Sequence, residues 1–406
     1  MLGISAPVLA ESEPWIIDFG LMNYNEKDRN TGLELIVKGT RETADGGSLM
    51  LKADLDVITG ATPNGASSSN VPQTFTQASG VGSYTVAANE LPADDTHMDT
   101  RLGLKAAVID PISQTLTTDY NALISMEFDY LAFAAAGGLS WDFDRKNTTL
   151  ITGINLEYNL VHPVGNIPKP LATLQAPGEQ QPRGVSSKSK TGREFSIGLN
   201  QIIDRTSLAQ IRFTSSHFFG YLNDGYKLLS IIDNENPASL GTTERYIFEN
   251  RPDSRRMKSL FLAYKKAYKS GILDVSYRFY DDSWDIKSHT LDLTYKFKLE
   301  NRFFIKPKFR IYKQDAAFFY HHSLPSNEAL PNFASADSRL AEFDAYTVSF
   351  EYGKNLSFGR KHSVAVEYYT QQGESNPNDA IGLQRQQDLY PTLETLTLKY
   401  IYSIKW

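Results

Sequence analysis

Thr392-Leu-Glu-Thr-Leu-Thr-Leu-Lys-Tyr-Ile-Tyr-Ser-Ile-Lys-Trp406 closes the chain, and its alternation decides the fold. Leu396, Leu398, Tyr400, Tyr402, Ile404 and Trp406 fall on one side of an extended strand. Thr395, Thr397, Lys399, Ser403 and Lys405 share the other with one apolar exception, Ile401. In water this pattern marks a half-buried strand; in a bilayer it marks a strand with one face in hydrocarbon and the other in a lumen.

The same period recurs upstream. Leu291, Leu293, Tyr295, Phe297 and Leu299 alternate with Asp292, Thr294, Lys296 and Lys298, and Phe303, Ile305, Phe309 and Ile311 alternate with Lys306, Lys308 and Arg310. Leu49, Leu51, Leu55 and Val57 alternate with Lys52, Asp54 and Asp56, and Leu150, Ile154, Leu156 and Tyr158 with Asn155, Glu157 and Asn159. Runs of about ten residues suit tilted membrane strands. Counting runs and turns predicts sixteen strands: 15 to 25, 32 to 43, 48 to 58, 99 to 110, 115 to 126, 131 to 143, 148 to 162, 193 to 203, 207 to 221, 255 to 268, 272 to 282, 286 to 298, 303 to 314, 341 to 353, 361 to 372 and 392 to 406. Short turns then alternate with long segments at 59 to 98, 163 to 192, 222 to 254, 315 to 340 and 373 to 391. A transmembrane antiparallel up-and-down β-barrel has this asymmetry, with short periplasmic turns, long extracellular loops and, for an even strand number, both termini in the periplasm.

Composition excludes the rival membrane class. Only 41% of the 406 residues are hydrophobic, and the longest apolar stretches, such as Ala132 to Leu139, fall short of the 20 or so that a spanning helix needs. A propeller would show a blade repeat of about 40 to 50 residues, and none is present. Residues 11–406 read as a single barrel domain. Met1 to Ala10 read as the remnant of an export signal peptide, with Val8 and Ala10 at small-residue cleavage positions. The aromatic end, Leu398, Tyr400, Tyr402, Ile404 and Trp406, resembles the terminal strand by which barrels engage the barrel assembly machinery of the Gram-negative outer membrane. Outer-membrane lipid and that machinery are the expected partners.

With no Cys, thiolate metal sites and cysteine catalysis are excluded. Gly-x-Ser-x-Gly, Walker and dinucleotide motifs are missing; an enzyme is not expected, although a hydrolase could assemble Ser, His and Asp from separate strands. No cofactor is implied. Asp94, Asp95, His97 and Asp99, and Asp281, Asp282 and Asp285, are oxygen-rich but lack calcium-loop spacing, and solvated loop charge is the default. An acidic total of −6 and an inward placement of the basic residues argue against nucleic acid.

Charge is distributed unevenly. Residues 251–313 carry 16 Lys and Arg against 7 Asp and Glu. The alternation turns Arg278, Lys296, Lys298, Lys306, Lys308 and Arg310 inward, giving a cationic lumen wall that would concentrate anions. The blander alternative is pairing across the lumen with Asp54, Asp56, Asp274, Glu351 and Glu367. Arg251-Pro-Asp-Ser-Arg-Arg256, at the end of a long loop, could bind an anion or lock a loop through Asp253, Asp281 and Asp282.

Four strings carry a resemblance: Asp54-Leu-Asp-Val-Ile-Thr-Gly-Ala-Thr-Pro-Asn-Gly65, Ser125-Met-Glu-Phe-Asp-Tyr130, Arg251-Pro-Asp-Ser-Arg-Arg256, and Tyr277-Arg-Phe-Tyr-Asp-Asp-Ser-Trp284 followed by His289. Together they resemble a bacterial outer-membrane barrel family catalogued as domain of unknown function 3570. The resemblance implies a barrel and names no activity. It makes Glu127, Asp129, Arg251, Asp253, Arg255, Arg256, Arg278, Asp282 and His289 the candidate constriction under the loops. Two functions compete: a porin-like channel for small polar or anionic solutes, and a plugged scaffold that holds a partner lipoprotein, surface protein or redox protein. An inward-folded 222 to 254 loop, through Leu228, Leu229, Ile231 and Ile232, favours the plug; a water-filled lumen favours the channel.

Overall fold

The computed structural model describes residues 13–406; the expected signal remnant lies outside them. Twenty-one strands run through the described residues: β1 (Ile16–Glu26), β2 (Asn30–Glu42), β3 (Ser48–Pro63), β4 (Gln73–Thr76), β5 (Ser83–Val86), β6 (Ala93–Pro111), β7 (Leu116–Met126), β8 (Tyr130–Phe143), β9 (Thr148–Val161), β10 (Lys188–Asp204), β11 (Ser207–Gly220), β12 (Leu228–Ile232), β13 (Thr243–Phe248), β14 (Ser254–Ala267), β15 (Gly271–Asp282), β16 (Lys287–Lys298), β17 (Phe303–Gln314), β18 (Leu324–Pro325), β19 (Phe343–Asn355), β20 (Lys361–Gly373) and β21 (Leu393–Lys405). Sixteen of them, all but β4, β5, β12, β13 and β18, close an antiparallel barrel in chain order. Each sequence-predicted strand coincides with one of the sixteen. The terminal strand makes the closure, with Ile17 opposite Ile404 and Leu21 opposite Tyr400.

The period-2 pattern sorts side chains between two solvents. Phe19 and Leu21 stand beside Val37 and Leu35, and Leu35 beside Leu55, all on the outer face. Leu55 is 41% and Leu35 48% exposed, far more than a soluble core would leave open. The apolar exterior continues through Ile154, Phe195, Phe213, Leu262, Leu293, Val348 and Leu398. An exterior this apolar requires hydrocarbon around it, so the barrel is transmembrane. Aromatic residues edge the short-turn end: Trp141 against Phe143 at 4.9 Å and Tyr295 against Phe297 at 4.4 Å. No described helix is long and apolar enough to cross a membrane; the crossing is made by strands.

Strands β3, β6 and β10 run beyond their expected limits, to Pro63, from Ala93 and from Lys188. All three extensions rise on the long-loop side. There the loops build structure of their own: a three-stranded sheet ordered β13-β12-β18 and the hairpin β4-β5. In the sheet, β12 pairs antiparallel with β13 and parallel with β18 through Ile231 opposite Leu324. Leu229, Ile231, Ile247, Leu324, Ala334 and Ala336 form one buried core, and Ala66, Phe75, Val86, Leu228 and Phe248 a second. The loops therefore have cores where a hydrated fringe would have none.

Candidate functional site: the capped mouth and the lumen beneath it

The cap is held over the mouth by two kinds of contact. Apolar contact comes first. Trp284, Ile286, Ala317, Phe319 and Leu340 cluster against the wall residue Tyr280, and Tyr390 packs with Phe343 and Ala345 beside Tyr312 and Tyr369. Tyr280, Tyr312, Phe343 and Tyr369 all belong to barrel strands, so the cap descends to the top of the wall.

A charge lock comes second. Arg251 places Nε 2.7 Å from Glu249 Oε1 and a terminal nitrogen 2.8 Å from Asp337 Oδ2. Arg339 grips Asp337 at 2.5 Å and Asp224 at 2.9 Å, and Ser335 Oγ donates to Glu249 at 2.5 Å. Burial pushes Glu249 up, and Arg251 opposes it. Burial also opposes ionisation of Asp337 and Asp224, yet Arg339, Lys227 and Arg251 outweigh it and hold both below the usual carboxylate range. The neighbouring turn ties in through Tyr226, whose hydroxyl donates to Asp129. Arg251 thus locks a loop, one of the two roles open to it in the sequence.

Below the lock, Arg255 forks onto Asp282, with Nε at 2.7 Å and a terminal nitrogen at 2.5 Å, while its guanidinium lies 4.3 Å from the Trp284 ring centre. Asp282 also accepts from Tyr280 Oη at 2.6 Å and from the Trp284 amide at 2.8 Å. The carboxylate is fully partnered, which suits a fixed wall element better than a metal ligand.

Four spaces adjoin these groups. A cleft of about 930 Å³ opens between the cap and the wall, lined by Asp99, Glu127, Asp129, Arg183, Lys190, Arg251, Arg255 and Arg339 among others. A space of about 460 Å³ under the cap shares Arg251, Arg255 and Arg339 with that cleft. Two lumen spaces, of about 880 Å³ and 600 Å³, follow, and Arg278 lines both of them and the space under the cap. Among the described residues Arg278 forms no ion pair; its guanidinium lies 5.1 Å from the Phe261 ring centre. Arg212, in the 600 Å³ space, forms none either.

The rest of the cationic wall is largely neutralised between neighbouring strands. Lys306 pairs with Glu351, which Lys361 also holds at 3.0 Å; Arg310 and Lys308 reach Asp292 at 2.8 and 3.5 Å. Across the barrel Arg101 holds Asp54 at 3.2 Å and Asp56 at 2.6 Å. Lys296 bonds to Asn355 at 3.2 Å and covers the Phe304 ring, and Lys298 is exposed. These ion pairs are lateral, each between adjacent strands of the wall.

The structure gathers Glu127, Asp129, Arg251, Arg255, Arg278 and Asp282 around these connected spaces. It does not gather the other three candidates. Asp253 is an exposed rim residue whose carbonyl accepts from Gly220. Arg256 stands beside His217 on the outer face. His289 also faces outward, bonded to Tyr277 Oη at 2.6 Å and packed on Phe279 at 5.2 Å. Alternation settles both outward positions: Arg255 and Arg278 point in, so Arg256, on the same strand parity as outward Leu260, and His289, opposite outward Phe279, point out. Glu249, Asp224, Asp337 and Arg339 were not among the expected residues. Their one sequence signal is the triplet Asp-Ser-Arg, present at 253–255 and again at 337–339.

A closed sixteen-stranded transmembrane barrel with a folded extracellular cap is the class defined by this geometry. The chain belongs to the family described as protein of unknown function (DUF3570), whose model matches residues 4–404. No protein of curated function matches it. Similar solved structures include a mutant ferric enterobactin receptor PfeA from Pseudomonas aeruginosa, with TM-score 0.44 and 8% identity over 97% of this chain and 60% of that one. The siderophore receptor PirA from Acinetobacter baumannii gives TM-score 0.44 and 9% identity over 98% and 59%. OpdK, an outer membrane protein from Pseudomonas aeruginosa, gives 0.40 and 8% over 98% and 100%. The chain thus spans about 60% of the receptors' length, and the likeness is one of fold.

Proposed function

We propose that this protein is exported to the outer membrane of a Gram-negative bacterium, where it conducts small polar or anionic solutes. They enter beside the cap and leave through the polar lumen. The observation that carries the reading is Arg278, a guanidinium with no ion pair among the described residues that lines three successive spaces. Unpaired cations in a low-dielectric enclosure attract anions far more than paired ones do. Arg255, Arg251 and Arg339 line the approach, and the folded cap narrows it.

Single-channel recording in planar bilayers tests this reading. Steady conductance with an anion-selective reversal potential is expected, reversed or abolished in Arg278→Glu. A second reading has its own observation: Leu229, Ile231 and Ile247 are at most 1% exposed, so the cap has a genuine core. A rigid cap of this kind suits a scaffold for a partner lipoprotein, surface protein or redox protein. A barrel silent under all salts would select the scaffold and direct the search to co-purifying proteins.

A further inference from the structure

The outer face holds an arrangement that conduction does not use. At the extracellular end of β10, β11 and β14, Arg193 lies opposite His217 and His217 opposite Arg256 in one row across three strands. Lys258 stands one pleat lower on the same face, opposite Ser215. All four side chains share the parity of Phe195, Phe213 and Leu260, which make up the outer apolar surface below them.

Two features separate this row from ordinary rim charge. Arg193, Arg256 and Lys258 form no ion pair among the described residues, although Asp281 is in register with Lys258. By contrast, Lys313, farther round the same rim, has its carboxylate in Asp344 at 3.5 Å. The row is also braced. A terminal nitrogen of Arg193 lies 3.2 Å from His217 Nδ1, and His217 Nε2 lies 2.9 Å from Ser254 Oγ. The Phe219 ring supports both, 5.8 Å from the Arg193 guanidinium and 5.3 Å from the imidazole. The charged groups acting on His217 are Arg193 and Arg256, both cations.

Unpaired cations held at the border of an apolar belt need an anion at headgroup level, since charge facing hydrocarbon is costly. Two planar guanidinium forks match phosphate oxygens, and the ammonium adds a point charge. We propose that this face binds a phosphomonoester-bearing lipid of the outer leaflet, its phosphate among Arg193, Arg256 and Lys258 and its acyl chains along Phe195, Phe213 and Leu260. A phosphomonoester carries close to two charges, where a diester carries one, and three cations fit it better. The inference rests on the placement of this rim in the outer leaflet and is independent of conduction.

Native mass spectrometry of the whole barrel in detergent tests it, with added lipid A, phosphatidylglycerol, phosphatidylethanolamine or inorganic phosphate. Lipid A adducts should survive at the lowest concentration, phosphatidylglycerol should follow, and the other two should be weak. Arg193→Gln with Arg256→Gln should lower lipid A occupancy on the order of tenfold or more, and Arg193→Lys with Arg256→Lys should keep an intermediate level. Heat-modifiable gel migration shows that each variant is folded, and the lumen variant Arg212→Gln should bind as the parent does. Unchanged occupancy in the double Gln variant overturns the site. Equal retention of phosphatidylglycerol overturns the phosphomonoester, and equal retention of inorganic phosphate overturns the lipid. Conductance of the double Gln variant should match the parent, so failure here leaves the conduit reading intact, and a silent barrel leaves this one.

Discussion

Glu127 shows how one residue couples the mouth to pH. It lies in the turn between β7 and β8, where burial and the carboxylates of Asp99 and Asp129 push it up to about 7. Because the shift favours the protonated form in the fold, its contribution to stability is present below the ordinary carboxylate value and is lost as pH rises through about 7. Below that point the cleft also carries one negative charge fewer. Anion preference should therefore rise between pH 8 and pH 6, and Glu127→Gln should flatten that profile at its acidic level; reversal potentials at the two pH values measure both. Arg251 is the residue on which the cap lock turns. Removing it in Arg251→Ala leaves Glu249 buried without its counter-charge, beside an Asp337 that Arg339 still holds, a change that costs about 3–5 kcal/mol in comparable buried pairs. Faster cleavage of the loops by trypsin, with barrel strands still protected, is the expected outcome. The string that contains Arg251 is legible as an arginine-rich rim, but its partners lie outside it, from Glu249 just before it to Asp282 on the next strand and Asp337 in a distant loop, and no local spacing announces them.

At the scale of elements, legibility divides along the solvent. The sixteen barrel strands can be read because each has hydrocarbon on one side and water on the other, a contrast that writes itself as period 2. Strand β12 has neither: all five residues, Leu228 to Ile232, are buried, so nothing alternates. Its apolar run signals only that the loop turns inward. Its antiparallel partner β13 is the next strand in the chain, but its parallel partner β18 comes from a distant loop and is two residues long, below any pattern. The hairpin β4-β5 does alternate, with Phe75, Tyr84 and Val86 turned in and Thr74, Ser83 and Thr85 turned out, but at four residues a strand the run is too short to read. The core of the cap makes a prediction at this scale. Ile231 is fully buried, and Ile231→Ala removes packing worth about 2–5 kcal/mol. The cap should loosen while the barrel keeps its heat-modifiable migration, because the strand ladder contributes none of this core. If the cap restricts flow, single-channel conductance should rise and become noisier; unchanged conductance with a loosened cap would mean that the path does not run beside it.

At the scale of the whole molecule, the charge count and the charge geometry point in different directions. An excess of basic residues in 251–313 suggests a strongly cationic wall, yet the lateral pairs Lys306 to Glu351 and Arg310 to Asp292 cancel much of it within single pleats. Selectivity should then depend on the few unpaired groups, Arg278 first and Arg212 after it, rather than on the total. Two consequences separate these descriptions. Arg278→Gln should shift the reversal potential clearly, whereas Lys306→Gln should shift it little or toward cations only through the carboxylate it frees, Glu351, which Lys361 still holds. Screening supplies the second. The field of a few isolated guanidinium groups reaches about 10 Å at 0.1 M salt and only about 3 Å at 1 M. At a fixed concentration ratio, anion preference should be pronounced in dilute salt and nearly absent in molar salt, with the Arg278→Gln variant already close to that limit when dilute. A preference that persisted undiminished into molar salt would require a constriction narrow enough to strip solutes of water, and the cap rather than the lumen wall would then set the selectivity.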